Sequence, residues 1–265
     1  MPGSPTPSRP PRPGPRRQRG VALFVVIVFV LLSMLLALWA SRTSMFNELV
    51  VGNDADYQRA LEAAQALLQD AELDIRGERA DGFACTVDPA NDKICRRRVT
   101  LAQIPLATEE VGGLLSELES KTTHCLNGLC AKRSGRQDFW NYTNATSPVP
   151  SNLQPGEVPL ESLTAADVGA RYGEYTGASL GDASNPINPI LADRSADNQG
   201  GWYWIEVLPY DLSSQNAAVV VGNNNLLALN MVPNVVYRIT ALAYGRKPST
   251  MVVLQQTYAR QKRKD

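Results

Sequence analysis

"RRQRGVALFVVIVFVLLSMLLALWASR", residues 16–42, decides the fold of this chain. Arginines crowd its start, and residues 21–40 then run for twenty positions with one polar side chain, Ser33. As a helix rising about 1.5 Å per residue, such a run covers roughly 30 Å, the thickness of a bilayer core. A secretory signal has a shorter apolar region, about 7–15 residues, closed by a small-x-small cleavage site. Here Leu38 and Trp39 stand before Ala40, which makes that site poor. A buried helix of a soluble core rarely reaches eighteen or so apolar residues. The run therefore reads as a membrane-spanning helix. Charge sets its direction. Arg9, Arg12, Arg16, Arg17 and Arg19 precede it without an acid, while Arg42, Glu48, Asp54 and Asp56 follow it. Positive charge stays on the cytoplasmic side, so the N-terminus is expected in the cytoplasm and residues 41–265 in the periplasm.

The formal net charge of zero conceals an asymmetry. Five of the 26 basic residues lie in residues 1–20, which leaves 21 against 26 acidic ones beyond them, a net charge of −5. The exported part is mildly acidic and has no nucleic-acid footprint. The basic tail "ARQKRKD" reads as a solvated terminus. Residues 1–19 hold seven prolines and no aliphatic side chain, a composition that buries nothing. They read as a leader that ends at Gly20, directly against the apolar run.

Beyond Arg42 the helical period continues. Phe46, Val50, Tyr57, Ala60 or Leu61, Ala64, Leu67 or Leu68, Ala71 and Ile75 recur at steps of three and four, with Glu48, Gln58, Glu62, Gln65, Gln69 and Glu72 opposite. Gly52 and Asn53 are expected to weaken or kink the helix, and a hinge there would divide it in two. Gly77 is the expected C-cap. Uninterrupted, residues 21–76 form a helix of about 84 Å. The chain then divides into a leader (1–20), a spanning helix (21–40), its amphipathic continuation (41–77) and a β-rich periplasmic domain (78–265).

A basic leader, a glycine, a spanning segment and an amphipathic helix in series resemble the start of a type IV pilin-like protein. The residues sharpen the likeness. Arg19 and Gly20, then Gly52 and Asn53, Asp56, and Ala60, Ala63 and Ala64 resemble the N-terminal pattern of the PilX family of minor pilins. The C-terminal stretch "YRITALAYGRKPSTMVVLQQTYAR" resembles the family's last β-hairpin. The resemblance implies that a prepilin peptidase cuts after Gly20 and methylates the new amine of Val21. It implies a helix kept first as an inner-membrane anchor and then in the core of an extracellular pilus fibre. Implied partners are other minor pilins, the major pilin and a tip adhesin, with no cofactor. Most such pilins carry a glutamate five residues into the mature chain, thought to meet the N-terminal amine of the subunit above. Here that position is Val25.

Four cysteines lie beyond the apolar run, at 85, 95, 125 and 130. In an oxidising periplasm disulfides are the default. Turn residues inside each close pair (Asp88 and Pro89, Asn127 and Gly128) favour Cys85–Cys95 and Cys125–Cys130 over the two crossed pairings. Zinc is the competing reading, with His124 the single imidazole. The late strands are legible: "WYWIEVL" (202–208) alternates Tyr203, Ile205 and Val207 against Trp202, Trp204 and Glu206. Segments 235–244 and 251–259 form an antiparallel hairpin, and 217–232 forms another hairpin or a loop. The expected fold is α+β, with the amphipathic half of the long helix covering one face of an antiparallel sheet. Trp202 and Trp204 are expected to pack, and residues 134–200 to form long surface loops that meet partners.

Catalysis has little to stand on. "GASLG" (177–181) fits the G-x-S-x-G elbow, but Ser179 needs a histidine later in the chain, and His124 precedes it. Asp182, Asp193 and Asp197 lack EF-hand spacing. The sequons at Asn141 and Asn144 are expected to stay unmodified. Three readings stand. The first is a minor pilin that primes or supports pilus assembly near the fibre tip, the second a minor pseudopilin of a type II secretion system. The third is a signal-anchored periplasmic enzyme or binding protein.

Overall fold

A computed structural model describes residues 21–85, 91–96, 102–133, 157–196, 198–210, 233–248 and 250–260. The leader, the 217–232 segment, both sequons and Asp197 lie outside them. The chain divides into two compact units, Met1–Gly52 and Asn53–Asp265. A single α-helix, α1 (Val21–Arg76, 56 residues), is assigned through the boundary, and the expected weak point at Gly52 and Asn53 coincides with it.

In the second unit α1 buries Asp56, Ala60, Ala63, Ala64, Leu67, Leu68, Asp70, Ala71, Asp74 and Ile75. These recur at steps of three and four, so they share one face. The stripe differs from the expected one at its start. Tyr57 is 47% exposed, and Phe46 and Val50 are exposed in the first unit. Burial begins at Asp56 and not at Tyr57, because hydrogen bonds from the Arg246 and Lys247 amides hold the Asp56 carboxylate against the 245–250 loop. The helix ends as its sequence directs. Gly77 takes φ +67°, its N–H donates to the Asp74 carbonyl at 3.1 Å, and the Glu78 N–H donates to the Leu73 carbonyl at 2.9 Å. This pair of bonds is a Schellman cap.

The main sheet has five strands in the order β1-β2-β5-β6-β7. They are β1 (Cys125–Leu126), β2 (Leu129–Cys130), β5 (Gly201–Pro209), β6 (Val235–Tyr244) and β7 (Met251–Tyr258). Two-residue strands β3 (Gly181–Asp182) and β4 (Asn185–Pro186) pair apart from it. The β5–β6 and β6–β7 pairings are antiparallel, as the alternation predicts. One pairing departs: β2 runs parallel to β5, with Leu129 opposite Ile205 and Cys130 opposite Glu206. The reason is local. Asn127 and Gly128 take φ +53° and +81° and fold β1 and β2 into a tight hairpin, whose second strand then lies along β5.

The sheet is also covered on both faces, where one was expected. Tyr203, Ile205, Val207, Tyr237, Ile239 and Ala241 join α1 in one core. Helix α2 (Thr108–Glu119) adds Val111, Leu114 and Leu118. Trp202, Trp204 and Leu242 point the other way, into a second core with Cys125, Cys130, Leu160 and Leu163. Helix α3 (Leu160–Thr164) supplies the last two. The Trp204 indole donates to the Leu163 carbonyl at 3.1 Å. The Arg171 guanidinium stacks 3.6 Å over the Trp202 ring. Central strand β5 is therefore buried from Gly201 to Val207, polar Glu206 included. Glu206 survives there because Arg238 meets its carboxylate twice, at 2.7 Å each. Short α4 (Pro189–Ala192) is capped by Asn188, whose side chain accepts the Ile190 and Leu191 N–H groups.

Candidate functional site

Two features carry function here, one in each unit. The first is the apolar part of α1. It is long and apolar enough to cross a membrane, and none of its most apolar window is buried in the rest of the chain. Val21, Phe24, Phe29, Leu35 and Trp39 all stand open. Each large apolar side chain in water forgoes about 1.5–3 kcal/mol of burial, so such a surface calls for lipid or another protein. Two hydroxyls along it bond back to the helix's own carbonyls. The Ser33 hydroxyl donates to the Phe29 carbonyl, and the Thr43 hydroxyl donates to the Trp39 carbonyl at 3.0 Å. Val21 is the first residue of α1, and the expected cleavage partner Gly20 lies outside the described residues. Val25 is 41% exposed and presents only methyl groups.

The second feature is the anchor of α1 in the globular unit, made by three buried aspartates. The Asp74 carboxylate takes the Arg96 guanidinium side-on, from Nε at 2.9 Å and Nη2 at 2.6 Å. It also accepts the Tyr203 hydroxyl at 3.1 Å. Arg96 in turn donates to the carbonyls of Ala102 and Asn127, at 3.1 and 2.9 Å. Its guanidinium lies 3.9 Å from the centre of the Tyr175 ring. Burial alone would push Arg96 down, but Asp74 outweighs it and holds the guanidinium above the ordinary arginine range. Reaching this position costs backbone freedom. Cys95 and Arg96 both take positive φ, +62° and +51°, unusual for side-chain-bearing residues. The Cys85–Cys95 disulfide closes the segment, and the Cys95 N–H donates to the Tyr175 carbonyl at 2.7 Å.

Asp70 sits one turn earlier. It accepts the Thr176 hydroxyl, and the Gly173 N–H at 2.7 Å. Burial raises its carboxyl to about 6 against the lowering pull of those two donors, and Asp74 adds repulsion. Asp56 accepts the backbone N–H groups of Arg246 and Lys247 at 2.9 and 3.0 Å. Burial would raise it, but the Thr250 hydroxyl and those two amides prevail and hold it below the usual range. The arrangement grips: it fixes one helix to the sheet and its loops through charge-assisted bonds.

The structure pairs Cys85 with Cys95 and Cys125 with Cys130, at Cα separations of 5.6 and 4.1 Å. The second bridge spans the β1–β2 hairpin under the tryptophans. Ser179 lies in a loop leading to β3, where its hydroxyl accepts the Gly181 N–H at 3.1 Å. No helix follows that motif directly. His124 stands beside Glu119 at 3.2 Å. The Asp193 carboxylate accepts from the Ser195 N–H and hydroxyl. Asp70, Asp74 and Arg96 escaped the sequence reading. A signal existed: positions 56, 60, 63, 67, 70 and 74 step by four and three, so aspartates stand inside the apolar stripe.

Residues 126–260 match the family described as type IV pilus assembly protein PilX C-term, and residues 19–69 match the one described as PilX N-terminal. The first match covers half of the chain and contains the whole of β5, β6 and β7. The second takes in the apolar run and the helix through Ala60, Ala63 and Ala64. No curated protein and no solved structure matched.

Proposed function

Because the chain belongs to the PilX family of type IV pilus assembly proteins and is a minor pilin of that assembly, we propose that it acts near the fibre tip, as one of the first subunits assembled. The secretion-system and periplasmic-enzyme readings gain nothing from the comparisons. In this proposal a prepilin peptidase removes residues 1–20 and methylates Val21. The apolar half of α1 holds the subunit in the inner membrane, with the globular unit in the periplasm, and later packs among the helices of the major and minor pilins. A tip adhesin is the expected distal partner.

The observation that carries the tip position is Val25. A charged amine left alone in an apolar core costs several kcal/mol, so a subunit lying beneath another needs a carboxylate to receive it. Valine offers none. The subunit fits where no further pilin helix lies above it. Two measurements test the proposal. The mass of the mature N-terminus should correspond to a chain that starts at methylated Val21. Immunogold labelling of sheared pili should mark ends, and deletion of the protein should cut pilus number sharply. Uniform labelling along the shaft, at a copy number near that of the major pilin, would refute the tip position.

A further inference from the structure

The ties that hold α1 change in kind along its length. From Leu67 onward they are strong. Leu67 packs so closely on β5 that a Cβ added at Gly201 would lie 2.6 Å from its Cδ1. Asp70 and Asp74 are buried in polar networks, and Gln256 donates to Glu72 at 2.6 Å. Before Leu67 the fully buried apolar side chains are three alanines, Ala60, Ala63 and Ala64, which offer little area, and Leu61 and Ala66 add only partly buried surface. Among the described residues, the side-chain hydrogen bonds of this stretch all go to the tip of the β6–β7 hairpin. Asp56 takes the Arg246 and Lys247 amides, and the Lys247 ammonium donates to Asn53 at 2.6 Å. The tip is shaped for this contact. The Gly245 N–H and the Thr250 carbonyl close it at 2.8 Å. A Cβ at Gly245 would fall 2.4 Å from the Asp56 carboxylate and 2.6 Å from the Thr250 Cβ.

We infer that the hairpin tip is a latch that keeps residues 53–64 of α1 docked on the sheet. Latched, the docked helix begins at the unit boundary, Asn53. Released, it begins near Leu67, and four turns of helix become available to follow whatever holds the apolar segment before them. The segment is poised to open locally because little apolar area opposes its release.

Hydrogen exchange on the full chain in detergent micelles tests this. Asp56→Ala should speed exchange at least tenfold for amides 56–64 and for Arg246 and Lys247. Amides 68–76 and those of β5 and β6 should stay within threefold of the parent. Gly245→Ala, which leaves the carboxylate in place but crowds the tip, should reproduce the same local pattern. Unchanged exchange in 56–64, or an equal rise throughout the globular unit, would overturn the latch. So would a Gly245→Ala protein that exchanges like the parent while Asp56→Ala opens.

Discussion

Replacing Arg96 by methionine removes the one buried cation among the described residues while keeping most of its volume. The Asp74 carboxylate keeps only the Tyr203 hydroxyl among its direct partners, and the Ala102 and Asn127 carbonyls lose their donor. Arg96 and Asp74 are both almost fully buried, with side chains 3% exposed, so water cannot substitute freely. Breaking a buried pair by removing one partner costs about 3–5 kcal/mol. Each orphaned carbonyl adds about 1 kcal/mol, discounted for relaxation. The expected loss is about 5–7 kcal/mol, a large share of the roughly 5–15 kcal/mol that holds a domain together. Asp74→Leu combined with Arg96→Met leaves no lone charge. It should lose about 2–3 kcal/mol less than the two single losses added. Guanidinium titration of the full chain in micelles, read by tryptophan fluorescence, suits the purpose, because Trp202 and Trp204 are buried in the same unit, on the other face of β5, and report its global unfolding. A loss below about 1.5 kcal/mol for Arg96→Met would refute the reasoning. So would a double variant worse than the added singles.

Asp70 should give the unit an unusual pH dependence. Its folded carboxyl titrates at about 6 against 3.8 in the unfolded chain. The folded state therefore binds the extra proton, and this contribution is full below 3.8 and lost as pH rises through 6. The drop is about 2–3 kcal/mol, and Asp70→Asn, whose amide can serve Thr176 and Gly173 in turn, should flatten it in denaturation curves between pH 4 and 7. Cys125→Ser should expose Cys130 as the one new thiol and keep the Cys85–Cys95 bridge, at a cost of about 2–3 kcal/mol. Peptide mapping without reductant reads this, and a peptide joining Cys85 to Cys130 would contradict it. Gly20→Arg should leave an uncut precursor, visible as a heavier band that keeps the leader.

Local patterns reached far in this chain. The apolar run, the amphipathic stripe from Ala60 to Ile75, the Gly77 cap and the β6–β7 hairpin depend on neighbours a few positions apart, and each is legible by period or turn residue alone. The same holds for the two patterns at the chain's ends that mark the family. Helix α2 was not legible. Its N-cap, Ala107, has no side-chain acceptor, and its start rests on Glu110 reaching back to the Leu106 and Ala107 amides. The parallel β2–β5 contact joins residues 129–130 to 205–206 across an interval with no periodic signal. The roles of the aspartates belong to tertiary structure entirely. Asp70 and Asp74 look like solvated helix residues until Thr176, Gly173, Arg96 and Tyr203 arrive from segments 22 to 129 positions away. A carboxylate inside an apolar stripe is costly unless its donors are supplied. Sequence shows where the charge stands along the helix, and only the folded chain supplies the donors that let it stay there.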